Sequence, residues 1–150
     1  MELATLIVLA SRLMTEEIHR ELADAGFDDL RPAHGFAFQL LASTGGATGV
    51  ALAEHLGVSR QAANQMVDEL EERGYVVRQR DPRDARLRRI VLTARGHDVL
   101  ALSARLWADQ ERAWERLIGA PAMATLTRGL RAFIDERDGF AAPLRLRPTW

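Results

Sequence analysis

Cysteine is absent from the 150 residues, which excludes disulfides, thiolate metal sites and thiol redox switching. Lysine is absent too, since all 20 basic residues are arginine. Guanidinium suits bidentate contact with phosphate and guanine, but such uniform usage is given no functional weight. No apolar run is long enough to cross a bilayer. The run Leu3-Ala4-Thr5-Leu6-Ile7-Val8-Leu9-Ala10 follows acidic Glu2, stops at Arg12, and reads as a buried helix rather than a signal or membrane segment. A cytoplasmic location, away from membranes, is the resulting expectation. His19, His34, His55 and His97 have no spacing suited to a metal or a catalytic triad. Glu54 and His55 read as a solvated pair on a helix surface, and Gly45-Gly46 lacks the lysine of a phosphate loop. The chain is therefore expected to be no enzyme, with no metal and no cofactor.

What is present is an ordinary globular composition, 47% apolar and 27% charged, in a chain of single-domain size. The net charge of −1 argues at first against a polyanionic partner. Its distribution argues the other way. Between Arg73 and Arg95 lie Arg73, Arg78, Arg80, Arg83, Arg86, Arg88, Arg89 and Arg95 against only Asp81 and Asp84. That window carries +6 and leaves −7 for the rest. A local basic patch on an acidic body is what electrostatic docking to DNA requires.

Hydrophobic periodicity predicts a first helix over about Glu2–Ala25, stopped by Gly26, and a second over about Pro32–Ser43 with Phe36, Leu40 and Leu41 on its core face. Thr48 can cap a short helix, Gly49–Leu56, with Val50, Leu52, Ala53 and Leu56 inward. Gly57 ends it in a left-handed turn, and Ser59 can cap the next helix, Arg60–Arg73. Two short helices on a tight turn make a helix-turn-helix. After Gly74 the period changes to that of two strands, Tyr75–Arg80 and Leu87–Leu92, joined by the turn-prone Asp81–Arg86. Thr93 caps a long helix, about Ala94–Leu117, with Leu100, Trp107 and Trp114 at heptad spacing. Gly119-Ala120-Pro121 interrupts before a last helix over about Ala122–Arg137, and the tail from Gly139 is expected to be irregular.

On the helix from Arg60, Ala62, Ala63, Met66, Val67 and Leu70 fall on one side. Ser59, Arg60, Gln61, Asn64, Gln65 and Asp68 fall on the other. Amide side chains pair with an adenine edge and arginine with guanine, while Ser59 and the helix N-terminus suit a phosphate. A charged hairpin directly after a helix-turn-helix is difficult to explain as packing. Arg83 and Arg86 at its tip are placed to reach a phosphate or a narrow minor groove, and Arg88 belongs to the same basic set. Asp81 and Asp84 are expected to cap turn amides and orient the neighbouring arginines.

These residues resemble the MarR (multiple antibiotic resistance regulator) family of bacteria. The stretches that carry the resemblance are Ala51–Ser59, Leu70–Val76, Ile90–Gly96 and, above all, Asp81-Pro82-Arg83-Asp84-Ala85-Arg86. The resemblance implies a mainly α fold with a small β-hairpin wing, divided as one MarR-like domain. Its parts would be dimerisation helices at 1–30 and 118–150, a winged helix-turn-helix at 32–92 and a linking helix at 93–118. It implies a homodimeric repressor on a palindromic operator in double-stranded DNA, lifted by a small aromatic or phenolic effector. By position, Arg86 would enter the minor groove, with Arg83 and Asp84 as its support. Ser59, Arg60, Gln61, Asn64 and Gln65 would lie on the recognition helix. The effector pocket would lie between the second and the long helix, with His34, Phe36, Phe38 and Trp107 as candidates.

The apolar terminal helices, with Trp107, Trp114, Phe133 and Ile134, suit an obligate dimer interface rather than a purely intrachain core. Two-fold symmetry would then set the recognition helices about 34 Å apart. The alternative reading is a winged module for protein–protein assembly, with DNA contact secondary.

Overall fold

A computed structural model of the chain describes residues 2–84 and 86–138; the expectations for Ala85 and for the tail from Gly139 fall outside the described residues. The elements are α1 (Glu2–Asp24), α2 (Pro32–Thr44), α3 (Gly49–Leu56), α4 (Arg60–Glu72), β1 (Val76–Arg80), β2 (Arg88–Leu92), α5 (Ala94–Ile118) and α6 (Ala120–Asp138). The mainly helical class with one hairpin is the class expected. Among described residues the chain divides into two compact units, one of 2–28 with 103–138 and one of 29–102.

In the unit of 29–102, local chemistry sets the helix ends. Thr48 Oγ1 accepts from the Ala51 amide at 3.2 Å, and Ser59 Oγ accepts from the Ala62 amide at 3.1 Å. Each satisfies an amide that the helix itself leaves open. Gly57 ends α3 at φ 65°, so the turn to α4 is only Gly57-Val58-Ser59. The core is Ala37, Phe38, Leu40 and Leu41 of α2, Leu52, Ala53 and Leu56 of α3, Ala63, Val67 and Leu70 of α4, with Tyr75, Val76, Ile90 and Val99. Val50, expected inward, is exposed, and Phe36 is only half-buried. His55, expected in solvent, is buried on the same side of α3 as Leu52 and Leu56.

The hairpin is antiparallel, pairing Val76 with Leu92, Arg78 with Ile90 and Arg80 with Arg88. The loop before α3 adds a third rung, because Ala47 and Ile90 exchange amide bonds of 3.0 and 2.8 Å. The Thr93-x-x-Gly96 turn then starts α5. Thr93 Oγ1 accepts from the Gly96 amide at 3.2 Å, and the Thr93 amide donates to the Tyr75 carbonyl at 3.0 Å. A Cβ at Gly96 would run into the same Tyr75 carbonyl oxygen, so α5 can cross the end of β1 this closely only with glycine.

The unit of 2–28 and 103–138 is different in character. Ile18 and Leu22 of α1 are buried. The apolar run at its N-terminus is not: Leu3, Leu6, Ile7, Val8 and Leu9 are exposed, and Leu13 is 66% exposed. On α6, Leu130, Phe133 and Ile134 share one face and are also exposed. The buried helix expected for residues 3–10 is therefore a helix without cover among the described residues. The break at Gly119 is one residue with φ +85°, and α6 resumes at Ala120 rather than Ala122.

Candidate nucleic-acid interface

The outward face of α4 is built as its sequence pattern predicts, except that Ala62, expected on the packed side, is exposed. Arg60, Gln61, Asn64 and Gln65 are all exposed, while Ala63, Val67 and Leu70 behind them are fixed in the core. A rigid, packed back is what allows a polar face to hold a defined geometry. Ser59 is exposed as the cap of α4, and its hydroxyl proton remains available to a phosphate oxygen.

Acids in the second half of α4 would oppose a polyanion if left free. Most are neutralised. Arg78 of β1 ion-pairs with both Asp68 and Glu71, and its amide also donates to Glu71 Oε1 at 2.9 Å. Arg31 pairs with Glu69. These bonds also fix α4 against β1 and against the start of α2.

The eight arginines of the basic window therefore divide by role. Arg73 donates to the Asp29 carbonyl at 2.7 Å, and Arg78 serves α4. Arg89 donates to the carbonyl oxygens of Gly46 (2.7 Å) and Thr44 (3.3 Å) and lies 3.8 Å from Asp81. Arg95 lies 4.7 Å above the Tyr75 ring and donates to its hydroxyl at 3.1 Å. Arg80, Arg83, Arg86 and Arg88 are exposed, and their side chains have no acid partner among the described residues. Only these four remain to face a ligand.

At the tip, Asp81 Oδ1 accepts from the amides of Arg83 (2.7 Å) and Asp84 (3.3 Å), and Asp84 Oδ1 accepts from the amide of Arg86 (3.0 Å). The Asp81 amide donates to the Leu87 carbonyl, and the Leu87 amide to that of Asp84, both at 3.0 Å. Amide capping is thus present. Among the described residues no tip guanidinium pairs with these acids, and the carboxylate of Asp81 meets Arg89 instead. Sequence reasoning missed both Arg80 and the role of Arg89. The first was legible in the strand register, while the second depends on a contact 43 residues away.

Of the ligand candidates, Phe38 is buried in the core, with its ring centroid 5.8 Å from that of Tyr75. Tyr75 is buried as well, and its hydroxyl donates to Asp29 Oδ1 at 2.7 Å. Burial and that carboxylate raise the Tyr75 pKa. His34 is fully buried at the start of α2, where Nδ1 accepts from the Arg31 amide at 3.1 Å. The ring proton must then sit on Nε2, which has no hydrogen-bond partner among the described residues. Burial, then the nearby Arg31 and Arg73, lower the His34 pKa to about 4. Trp107 belongs to the other unit and is 39% exposed. Among the described residues no cluster of three or more potential ligands could hold a metal, and no helix is long and apolar enough to cross a membrane.

The MarR family model matches residues 28–87, the segment that contains α4 and the wing tip but not Arg88. Comparison with curated protein sequences gives no match. Among solved structures, the reduced form of MarR from E. coli is 25% identical with a TM-score of 0.73, covering 88% of this chain and 96% of that one. A MarR-family transcriptional regulator from a Rhodococcus species is 26% identical with a TM-score of 0.65, covering 90% and 92%. A mutant of S. aureus MepR, bound to an oligodeoxyribonucleotide, is 17% identical with a TM-score of 0.64, covering 89% and 96%. Motif, hairpin and helix order agree with these comparisons: residues 28–87 match the MarR family model, and the chain has the winged-helix fold of the MarR-family structures it resembles.

Proposed function

We propose that the chain is a cytoplasmic homodimer that binds a palindromic operator in double-stranded DNA, represses nearby genes, and is released by a small aromatic or phenolic effector. The observation that carries this reading is the division of charge in the unit of 29–102. The acids Asp68, Glu69 and Glu71 are spent on Arg78 and Arg31, while Arg80, Arg83, Arg86 and Arg88 have no acid partner among the described residues and the amide-rich face of α4 is exposed. A surface evolved only for solubility would interleave its charges.

In this mechanism α4 enters the major groove, with Arg60, Gln61, Asn64 and Gln65 at base edges and Ser59 at a phosphate. Arg86 reaches the minor groove, and Arg83 and Asp84 hold the tip in shape. The related MepR structure with an oligodeoxyribonucleotide supports DNA as the ligand class. The exposed apolar faces of α1 and α6 support a dimer, because a monomer would leave them in water. For the effector, the buried Nε2–H of His34, with Phe36 nearby in sequence and Phe38 behind, is the donor that would meet a ligand oxygen.

Selection from random duplex, followed by titration of the enriched site against salt, tests the reading. A palindrome should be enriched, bound roughly a thousandfold or more above random duplex. The log–log salt slope should be about −0.9 for each phosphate neutralised. No enrichment of any sequence would favour the assembly module instead.

A further inference from the structure

The register of the hairpin sets Arg80 directly opposite Arg88. Opposed residues on an antiparallel pair project to the same face, with Cβ atoms about 5 Å apart. Both arginines are exposed, and neither has an ion pair or side-chain hydrogen bond to the described residues. The nearby acids are committed elsewhere. Asp81 holds the amides of Arg83 and Asp84 and faces Arg89, Asp84 holds the Arg86 amide, and Asp68 and Glu71 hold Arg78.

The face on which this pair sits is defined by its neighbours. Alternation places Val76, Arg78 and Arg80 of β1 on one side of the sheet, opposite Leu92, Ile90 and Arg88. Arg78 on that side reaches Asp68 and Glu71, so the face is turned toward α4. Two guanidiniums thus stand one alternation nearer the tip than this ion pair, without a counter-charge. Like charges directly opposite destabilise a hairpin. The arrangement becomes favourable when an anion lies between them.

We propose that Arg80 and Arg88 form a two-pronged seat for one phosphodiester of the DNA backbone, where a strand passes between the recognition helix and the wing. The two non-bridging oxygens of a phosphodiester offer one acceptor to each guanidinium. The seat lies at the base of the wing and acts apart from Arg83 and Arg86 at the tip. It reads no base, so it sets affinity and register rather than sequence choice. This proposal rests on the DNA-binding reading above.

The test compares wild type, Arg80→Gln, Arg88→Gln, the double variant and Arg80→Lys. Each is titrated by fluorescence anisotropy with the selected duplex and with a random duplex over a range of KCl concentrations. Each glutamine variant should lose about tenfold in affinity for both duplexes alike. The double variant should reduce the salt slope by about 0.9 for each protomer bound, and Arg80→Lys should keep the slope. Relief of repulsion should meanwhile raise the melting temperature of the free glutamine variants by about 1–3 °C. Wild-type binding with affinity and slope untouched in the double variant removes the seat and leaves the DNA reading standing. A wild type that enriches and binds no duplex removes both.

Discussion

The guanidinium of Arg89 donates to the carbonyl oxygen of Gly46 at 2.7 Å, so the second wing strand is tied to the loop that leads into α3. The same nitrogen reaches the Thr44 carbonyl at the end of α2, where the helix dipole favours a cation. Gly46 permits this approach. It has φ +119°, and a Cβ there would lie 2.6 Å from Val91 Cγ1 and 3.0 Å from the Ile90 carbonyl. Because Asp81 faces Arg89 on the other side, the tip, the second strand and the helix-turn-helix form one mechanical unit. Arg89→Gln should speed amide exchange at Ala47 and Ile90 in the free protein. It should also weaken DNA binding by about tenfold with an unchanged salt slope, since no phosphate contact is lost. A slope reduced by about 0.9 would instead make Arg89 a phosphate ligand.

Asp81 and Asp84 predict a graded pair of substitutions. Asp81 caps two amides and meets Arg89, whereas Asp84 caps one amide. Asp81→Ala should therefore cost more DNA affinity than Asp84→Ala, each near or above tenfold, as expected for hydrogen bonds to a charged acceptor. Neither should shift the melting temperature by more than a few degrees, because the tip is exposed and contributes little core. Anisotropy and calorimetry on both variants decide it, and equal affinity losses would show that the two carboxylates are equivalent.

His34 predicts how stability follows pH. Its folded pKa of about 4 lies below the ordinary histidine value of about 6.5. Between those values the unfolded chain takes up a proton that the folded chain refuses. The contribution is complete above about pH 6.5 and drains away as pH falls toward 4, to a total of up to about 3 kcal/mol. Urea unfolding at pH 7.5 and 5 should show the loss in wild type and a smaller one in His34→Gln. An equal fall in both proteins would assign the acid sensitivity to other groups.

Gly96 is a further point where backbone geometry decides. Because a Cβ there meets the Tyr75 carbonyl, Gly96→Ala must push α5 away from β1. The expected loss is about 2–4 kcal/mol, in the range of overpacked or strained core sites. Chemical denaturation measures it directly. A neutral result would show that α5 starts elsewhere.

Much of this interface could be read from the chain because its determinants are local. Thr48 and Ser59 cap the helices that they precede, Gly57 supplies the turn, and the strand pattern fixes which residues oppose one another. What could not be read depends on tertiary approach. Arg31 and Glu69 are 38 residues apart, and Arg89 and Gly46 are 43. Nothing in the eight arginines themselves distinguishes the structural ones from the free ones. His55 was misleading for a related reason. A polar residue in a short amphipathic helix reads as surface, yet the α3 period carries it inward with Leu52 and Leu56. The N-terminal run of α1 was legible as apolar but not as uncovered among the described residues, because exposure depends on what packs against a helix and not on its own pattern.

That uncovered surface gives the most direct test of assembly. Leu3, Leu6 and Leu13 lie along α1 at helical spacing, and Phe133 with Ile134 lies on α6. Phe133 is 57% exposed and Leu117 is 83% exposed, values costly for large apolar side chains in water. If these faces meet a second copy, Leu13→Arg and Phe133→Arg should each shift the protein from dimer to monomer in light scattering at micromolar concentration. The unit of 29–102 should keep its fold, because its core contains neither residue. DNA affinity should then fall far more than either change could cause at the interface itself, since a monomer loses the second recognition helix and its effective concentration. Dimers that persist in both variants would place the partner surface elsewhere on the chain.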